Sequence, residues 1–143
     1  LRGQQGSDTL TGGIGNDNFI FTIGDSSATL SNADKIMDFD SGQDKIKIGI
    51  AGNTPGEFSA LAGTSGDTFS SALTAANNVF TSLNSQSFFM TSYGNTASSN
   101  VQGVLFLNLD DNSSADGAIL LGLGNGNDMN TAANLCISTD IIL

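Results

Sequence analysis

Nine residues, "GQQGSDTLT" from Gly3 to Thr11, are followed without a gap by nine more, "GGIGNDNFI" from Gly12 to Ile20. Both fit the pattern G-G-x-G-x-D-x-U-x, in which U is a large apolar residue, and only Gln4 departs from it, standing where the second glycine belongs. Six residues of turn followed by three of strand, with one apolar side chain pointing inward, stack copy on copy into a parallel β-roll. Leu1 stands nine residues before Leu10, and Leu10 nine before Phe19, so the three read as a core ladder. An array already in phase at Leu1 implies a repeat that continues upstream, in a longer protein.

The same pattern reads as a cation site. Turn glycines at Gly6, Gly13 and Gly15 let carbonyl oxygens converge, and Asp8 and Asp17 supply charge. Hard oxygen ligands at this density select Ca²⁺, whose large, flexible shell accepts backbone carbonyls where Mg²⁺ demands stricter geometry. The charge balance agrees: 14 acids against 4 basic residues leave a formal charge of -10. Every acid except Glu57 is aspartate, the shorter carboxylate that suits tight turns and sites close to the backbone. Such a chain repels nucleic acid and anionic membrane surfaces.

Composition also narrows the chemistry. The chain has no histidine, which excludes Ser-His-Asp, Cys-His and HExxH catalysis within it, so no catalytic residue is assigned and the chain is not read as an enzyme. Cys136 is the only cysteine, so there is no internal disulfide, and in the apolar run "NLCISTDIIL" it reads as a small buried hydrophobe. No stretch approaches the roughly 18 consecutive apolar residues of a membrane span, and the first residues carry no basic-then-apolar leader, so membrane insertion is not expected.

Past residue 20 the repeat loosens into "NADKIMDFDSGQDKIKIGI" (Asn32 to Ile50), two short strands with Ile36, Phe39, Ile46 and Ile48 as the apolar positions. The last turn of a roll has no following repeat, so nearby carboxylates must complete its sites. Asp34, Asp38 and Asp44 are read as those ligands, and Asp40 as a turn residue. Next, "GNTPGEFSALAGTSG" reads as a loop with a helical turn around Glu57 to Leu61. The best helix candidate runs from Thr68 to Leu83, with Phe69, Leu73, Ala76, Phe80 and Leu83 at spacings of four and three and Asp67 as N-cap. Strand character returns in "SFFMTSY", "VQGVLFLNL" and "GAILLGL". The last two are joined by "DDNSSAD" (Asp110 to Asp116), a hairpin loop rather than a helix-loop-helix calcium loop. Ala115 and Leu121 stand where that loop needs glycine and glutamate.

The expected fold is therefore mainly β: a parallel β-roll continuing into a β-sandwich-like C-terminal part, with one helix inserted around residues 68–83. Three segments share one compact domain. Residues 1–50 are the end of the roll and its closing strands, 51–100 a loop and helical insertion, and 101–143 the C-terminal strands.

The tandem nonapeptides followed by "ADKIMDFDSGQDKIKI" resemble the C-terminal portion of RTX proteins, above all the domain behind the catalytic domain of serralysin-type metalloproteases, which recurs in bacterial S-layer proteins and adhesins. In that family a D-x-I-x-D-F-x-x-G-x-D-x-I segment ends the roll, and Asp34, Ile36, Asp38, Phe39, Gly42, Asp44 and Ile46 match it position by position. "VLFLNLDDNSSADGAILL" and "STDIIL" also fit the family's closing strands and terminal acid.

The resemblance implies export by type I secretion machinery that reads an uncleaved C-terminal signal, here Asp140, Ile141, Ile142 and Leu143, followed by calcium-driven folding outside the cell. It places the module in an extracellular or cell-surface protein, S-layer or adhesin, with a secreted hydrolase whose catalytic domain lies upstream as the alternative. Copies of the chain itself or a cell-surface polysaccharide are further candidate partners. Removal of Asp140 to Leu143 is expected to impair export and leave calcium binding largely intact.

Overall fold

The computed structural model describes residues 1–49, 57–61, 68–83, 87–92, 103–110, 113–123 and 140–142. Its elements are β1 (Thr9–Leu10), β2 (Asn18–Thr22), β3 (Asp34–Phe39), β4 (Lys45–Gly49), β5 (Glu57–Leu61), α1 (Phe69–Leu83), β6 (Ser87–Ser92), β7 (Gly103–Asn108), β8 (Gly117–Leu123) and β9 (Ile141–Ile142). It is mainly β with one helix among the described residues, and no sheet closes into a barrel.

The described strands form two sheets, one in the order β1-β3-β8-β7-β6-β5 and the other in the order β2-β4-β9. Each glycine-rich turn sends the chain from one sheet to the other, so β1 and β3 share the first sheet and β2 and β4 the second. Both pairs are parallel, with Thr9 opposite Lys35 in one and Asn18 opposite Lys45 in the other. In β2 and β4 alternate residues are buried, so Phe19, Phe21, Ile46 and Ile48 face inward while Ile20 and Lys47 face out. This is the period of two that a half-buried strand imposes.

The ladders do not stop at β4. β8 runs parallel to β3, with Asp34 opposite Ile119, and β9 runs parallel to β4, with Ile46 opposite Ile141. β8 and β9 thus form a third rung beneath β3 and β4, and the chain leaves the stack after the second rung and returns to it at Gly117. The excursion carries β5, α1, β6 and β7. β7 is antiparallel to both β6 and β8, and β5 lies parallel to β6 at the sheet's far edge.

Two cores result. Between the sheets, Phe19, Phe21, Ile36, Phe39, Ile46, Ile48, Leu105, Leu107, Leu109, Ile119 and Leu121 pack together, with Leu10 and Ile141 against them. The rings of Phe19 and Phe39 lie 6.3 Å apart across the interface. On the other face of the large sheet, Val104, Phe106, Ala118 and Leu120 receive Phe69, Ala72, Ala76 and Phe80 of α1. β7 and β8 are therefore buried on both faces.

Three sequence expectations change. Leu1 is not a core rung: it is 42% exposed. It meets β2 through its backbone instead, its carbonyl accepting from the Ile20 amide at 2.8 Å. Glu57–Leu61 is a strand and not a helical turn, because a run this short carries no decisive period and the free edge of β6 sets its conformation. The helix is capped by Thr68, whose Oγ1 accepts from the Ser71 amide at 3.2 Å. Asp67, expected in that role, lies outside the described residues, as do Cys136 and Leu143.

Gly117, where the chain rejoins the stack, has no room for a side chain. A Cβ there would come within 2.9 Å of the Ser26 carbonyl oxygen. Gly117→Ala should lower the unfolding free energy of the calcium-loaded chain by about 1–3 kcal/mol. Denaturant titration of the variant beside the parent reads this directly, and an unchanged midpoint would mean that β8 does not seat against Ser26.

Candidate metal centre

The two nonapeptides fold into turns of the same shape. In each, the first glycine lies over the aspartate five residues on. A Cβ on Gly3 would sit 2.7 Å from the Asp8 side chain, and one on Gly12 would sit 2.8 Å from Asp17 Oδ2. Glycine is needed there for closeness, not for conformation. The second position needs conformation: Gly13 has φ +93° and its counterpart Gln4 has φ 74°. Gln4 thus holds a left-handed backbone at a cost of about 1 kcal/mol, which is the physical content of its departure from the repeat.

Carboxylates of the second rung grip the turns of the first. Asp34 Oδ1 accepts from the Asp8 amide at 2.8 Å, and Asp44 Oδ1 accepts from the Asp17 amide at 2.9 Å. In both places the following lysine, Lys35 or Lys45, donates its amide back to the Asp8 or Asp17 carbonyl at 2.8 Å. Asp38 accepts from the amides of Gly12 and Gly13 at 2.9 and 2.8 Å, one on each carboxylate oxygen. The remaining Asp44 oxygen accepts from the Asp40 amide at 2.9 Å, and Asp40 itself is a turn residue, its carbonyl accepting from Gln43 and Asp44.

The structure therefore brings the expected residues together in pairs: Asp8 with Asp34, Gly13 with Asp38, and Asp17 with Asp44. In these pairs Asp34, Asp38 and Asp44 act first as acceptors for backbone amides. Among the described residues no group of three or more acids closes around a single metal position. Gly6 and Gly15 lie in exposed turns with φ +137° and +118°. Gly6 also lines a cavity of roughly 370 Å³ with Ser7, Gly24, Asp25, Ser27 and Asn32. Asp140 lies against the β3–β4 turn, its carboxylate accepting from the Ser41 hydroxyl at 2.6 Å, the Gly42 amide at 3.1 Å and Lys45 Nζ at 3.0 Å, and Ile141 and Ile142 form the third rung beside β4.

One place in the stack has unmet polar demand. Asp8 Oδ2 and Asp34 Oδ2 are buried and have no hydrogen-bond partner. Asp34 is fully buried, and burial pushes its carboxyl pKa above the ordinary carboxylate value. The Asp8 amide counters this, while the charges of Asp8 and Asp25 add to the rise. Two orphaned carboxylate oxygens at the buried base of an otherwise exposed turn are donors of the kind a hard cation takes.

Asp25 and Ser26 were not legible as functional residues. Asp25 is buried, and its Oδ2 accepts from the amide and hydroxyl of Thr22 at 2.8 and 2.9 Å. Ser26 Oγ accepts from the Asp34 amide at 2.8 Å and donates to the Ala118 carbonyl at 2.6 Å, tying the turn to β8. The Thr-x-x-Asp spacing was a usable sign for Asp25, but nothing local marks Ser26, whose partner lies 92 residues on.

The chain belongs to the serralysin C-terminal domain family. The family model described as "Peptidase M10 serralysin C terminal" matches residues 2–102, covering both nonapeptides and the Asp34–Asp44 segment. No curated protein matches the chain. Domains of this family are non-catalytic, calcium-binding modules of RTX proteins secreted by type I systems to the cell exterior.

The Asp34 carboxyl gives a pH signature. Its pKa is raised on folding, so the folded state holds the proton more tightly than the unfolded one, and the calcium-free fold loses stability as pH rises through the folded pKa. Calcium-free chain should therefore gain β structure as pH falls from neutral into the carboxylate range, and Asp34→Asn should weaken that dependence. Circular dichroism of both proteins in chelator across that interval checks this, and a parent whose β signal only rises with pH would overturn it.

Proposed function

We propose that the chain is a calcium-binding module that folds on reaching extracellular calcium and carries a type I secretion signal in Asp140–Leu143. Residues 1–50 form the end of a parallel β-roll and its closing strands, 51–100 a loop and helical insertion, and 101–143 the C-terminal strands. The observation that carries this reading is the pair of orphaned oxygens on Asp8 and Asp34 within a repeat whose second copy reproduces the same turn. Asp8 and Asp34 would hold one ion with turn carbonyls such as that of Gly6. Asp17, Asp38 and Asp44 would serve the opposite side of the stack with Gly13 and Gly15.

The energetics support a switch set by location. Without calcium, the clustered carboxylates of a chain with charge -10 repel one another as the rungs close. At millimolar calcium, a site with affinity of about 10⁻⁴ M adds roughly 1.4 kcal/mol of stability through linkage. A few such sites turn a marginal fold into a stable one.

The parent we favour is a cell-surface protein of the S-layer or adhesin kind, given a chain rich in Ser, Thr, Asn and Gly and without histidine. The match to a peptidase-associated family supports a second reading, a secreted hydrolase with its catalytic domain upstream. An HExxH or G-x-S-x-G motif preceding the module in the parent protein distinguishes them.

Calcium added to chelated chain should produce β circular dichroism. Asp8→Asn should move the calcium midpoint to concentrations several-fold higher, whereas Asp40→Asn, at a turn residue, should leave it in place. Equal shifts, or a fold indifferent to chelation, would refute the assignment.

A further inference from the structure

We propose that Ser26 is a positioning residue for the cation site at Asp8 and Asp34, and that it makes the affinity of this side of the stack depend on the seating of β8, a dependence the Asp17–Asp44 side lacks. This rests on the reading that Asp8 and Asp34 hold an ion. It adds the residue that aims one of the two ligands, and it makes the two sides of the stack unequal.

The peptide joining Ala33 to Asp34 is held at both of its polar groups. Its carbonyl, from Ala33, accepts from the Ser7 hydroxyl at 3.3 Å, and its amide, from Asp34, donates to Ser26 Oγ at 2.8 Å. A planar peptide fixed at carbonyl and amide is fixed in orientation, and with it the direction in which the Asp34 side chain leaves the backbone. One oxygen of that side chain accepts from the Asp8 amide, and the other is the buried oxygen without a partner.

Ser26 can aim Asp34 only because it is itself held. It is buried, and its hydroxyl donates at 2.6 Å to the carbonyl of Ala118, the second residue of β8. A hydroxyl both donates and accepts, so one side chain makes both contacts, and alanine makes neither. The Ser26 carbonyl lies so close to Gly117 that a Cβ there would approach it to 2.9 Å, and Asp34 stands opposite Ile119 in the ladder. The aim of this ligand is therefore set from β8, through a contact that spans 92 residues.

The Asp17–Asp44 side is built otherwise. The Asp44 amide donates to the Asp40 carbonyl at 2.8 Å, and Asp44 Oδ2 accepts from the Asp40 amide at 2.9 Å, so this carboxylate is aimed from within its own turn. The two clasps look alike from the first rung and differ in what stands behind them. Loss of the contact to β8 should loosen Asp34 and spare Asp44.

The test is a pair of double-mutant cycles on the 143-residue chain, read as the calcium midpoint of the β circular dichroism. Ser26→Ala should raise that midpoint by about fivefold, the loss expected of a buried hydrogen bond. In an Asp8→Asn background, where the ion it serves is already weakened, most of the shift should vanish, whereas in an Asp17→Asn background it should remain in full. A shift that behaves alike in the two backgrounds would make Ser26 a residue of general stability and overturn the proposal, as would a midpoint that Ser26→Ala leaves unmoved. Ser7→Ala, at an exposed position, frees the other end of the same peptide and should show the same dependence on Asp8. It decides by the same criterion if Ser26→Ala does not fold in saturating calcium. An Asp8→Asn midpoint equal to the parent's would instead remove the reading of the ion site on which the proposal rests.

Discussion

The structure depends on one repeated contact, the aspartate carboxylate that accepts the amide of an aspartate one rung earlier. Asp34 does this for Asp8 and Asp44 for Asp17, and in each case the next lysine amide returns the bond to the same residue's carbonyl. The clasp fixes the parallel register, because a slip of one residue would turn the inward apolar side chains of β2 and β4 outward. It also concentrates negative charge where the rungs meet, and each clasp brings two carboxylate-bearing residues into the same turn. A fold organised this way is closed by hydrogen bonds and opposed by its own electrostatics.

The parts legible in the sequence were those with a short period. The nine-residue spacing led to turns of common shape and to Phe19 inward, the short strands after Asn32 led to Ile36, Ile46 and Ile48 inward, and the spacing of Phe69, Ala76 and Phe80 led to the helix. The parts that were not legible depend on distant partners. That β8 and β9 continue the stack as a third rung is decided by pairing with β3 and β4 across the whole excursion, and no local pattern records it. Glu57–Leu61 became a strand because an edge was available. At the candidate site, residue types pointed to carboxylate function at Asp34, Asp38 and Asp44. Their first role, holding backbone amides, needed coordinates to see, as did the buried charge of Asp25.

The two halves of the chain use polar groups differently. In the repeats, carboxylates grip backbone from the turn side, and two oxygens remain without partners. At the β7–β8 hairpin, Asp116 does what a turn acid ordinarily does, accepting from the amides of Leu109 and Asp110 at 2.6 and 3.2 Å. Its turn is locally complete. The contrast separates an acid that ends a hairpin from acids that keep an oxygen without a partner, although the sequence offers both as aspartate among small polar residues.

The hairpin of β7 and β8 presents apolar side chains on both faces, Leu105, Leu107, Ile119 and Leu121 to the stack and Val104, Phe106, Ala118 and Leu120 to α1. A strand pair of that kind cannot be inherited alone. A descendant that lost the helix would bare the outer face and gain a surface suited to aggregation, and one that lost the hairpin would strand the helix without a floor. Helix and hairpin are thus expected to be gained, lost or exchanged together, with Gly117 marking the point within the hairpin where the chain rejoins the stack.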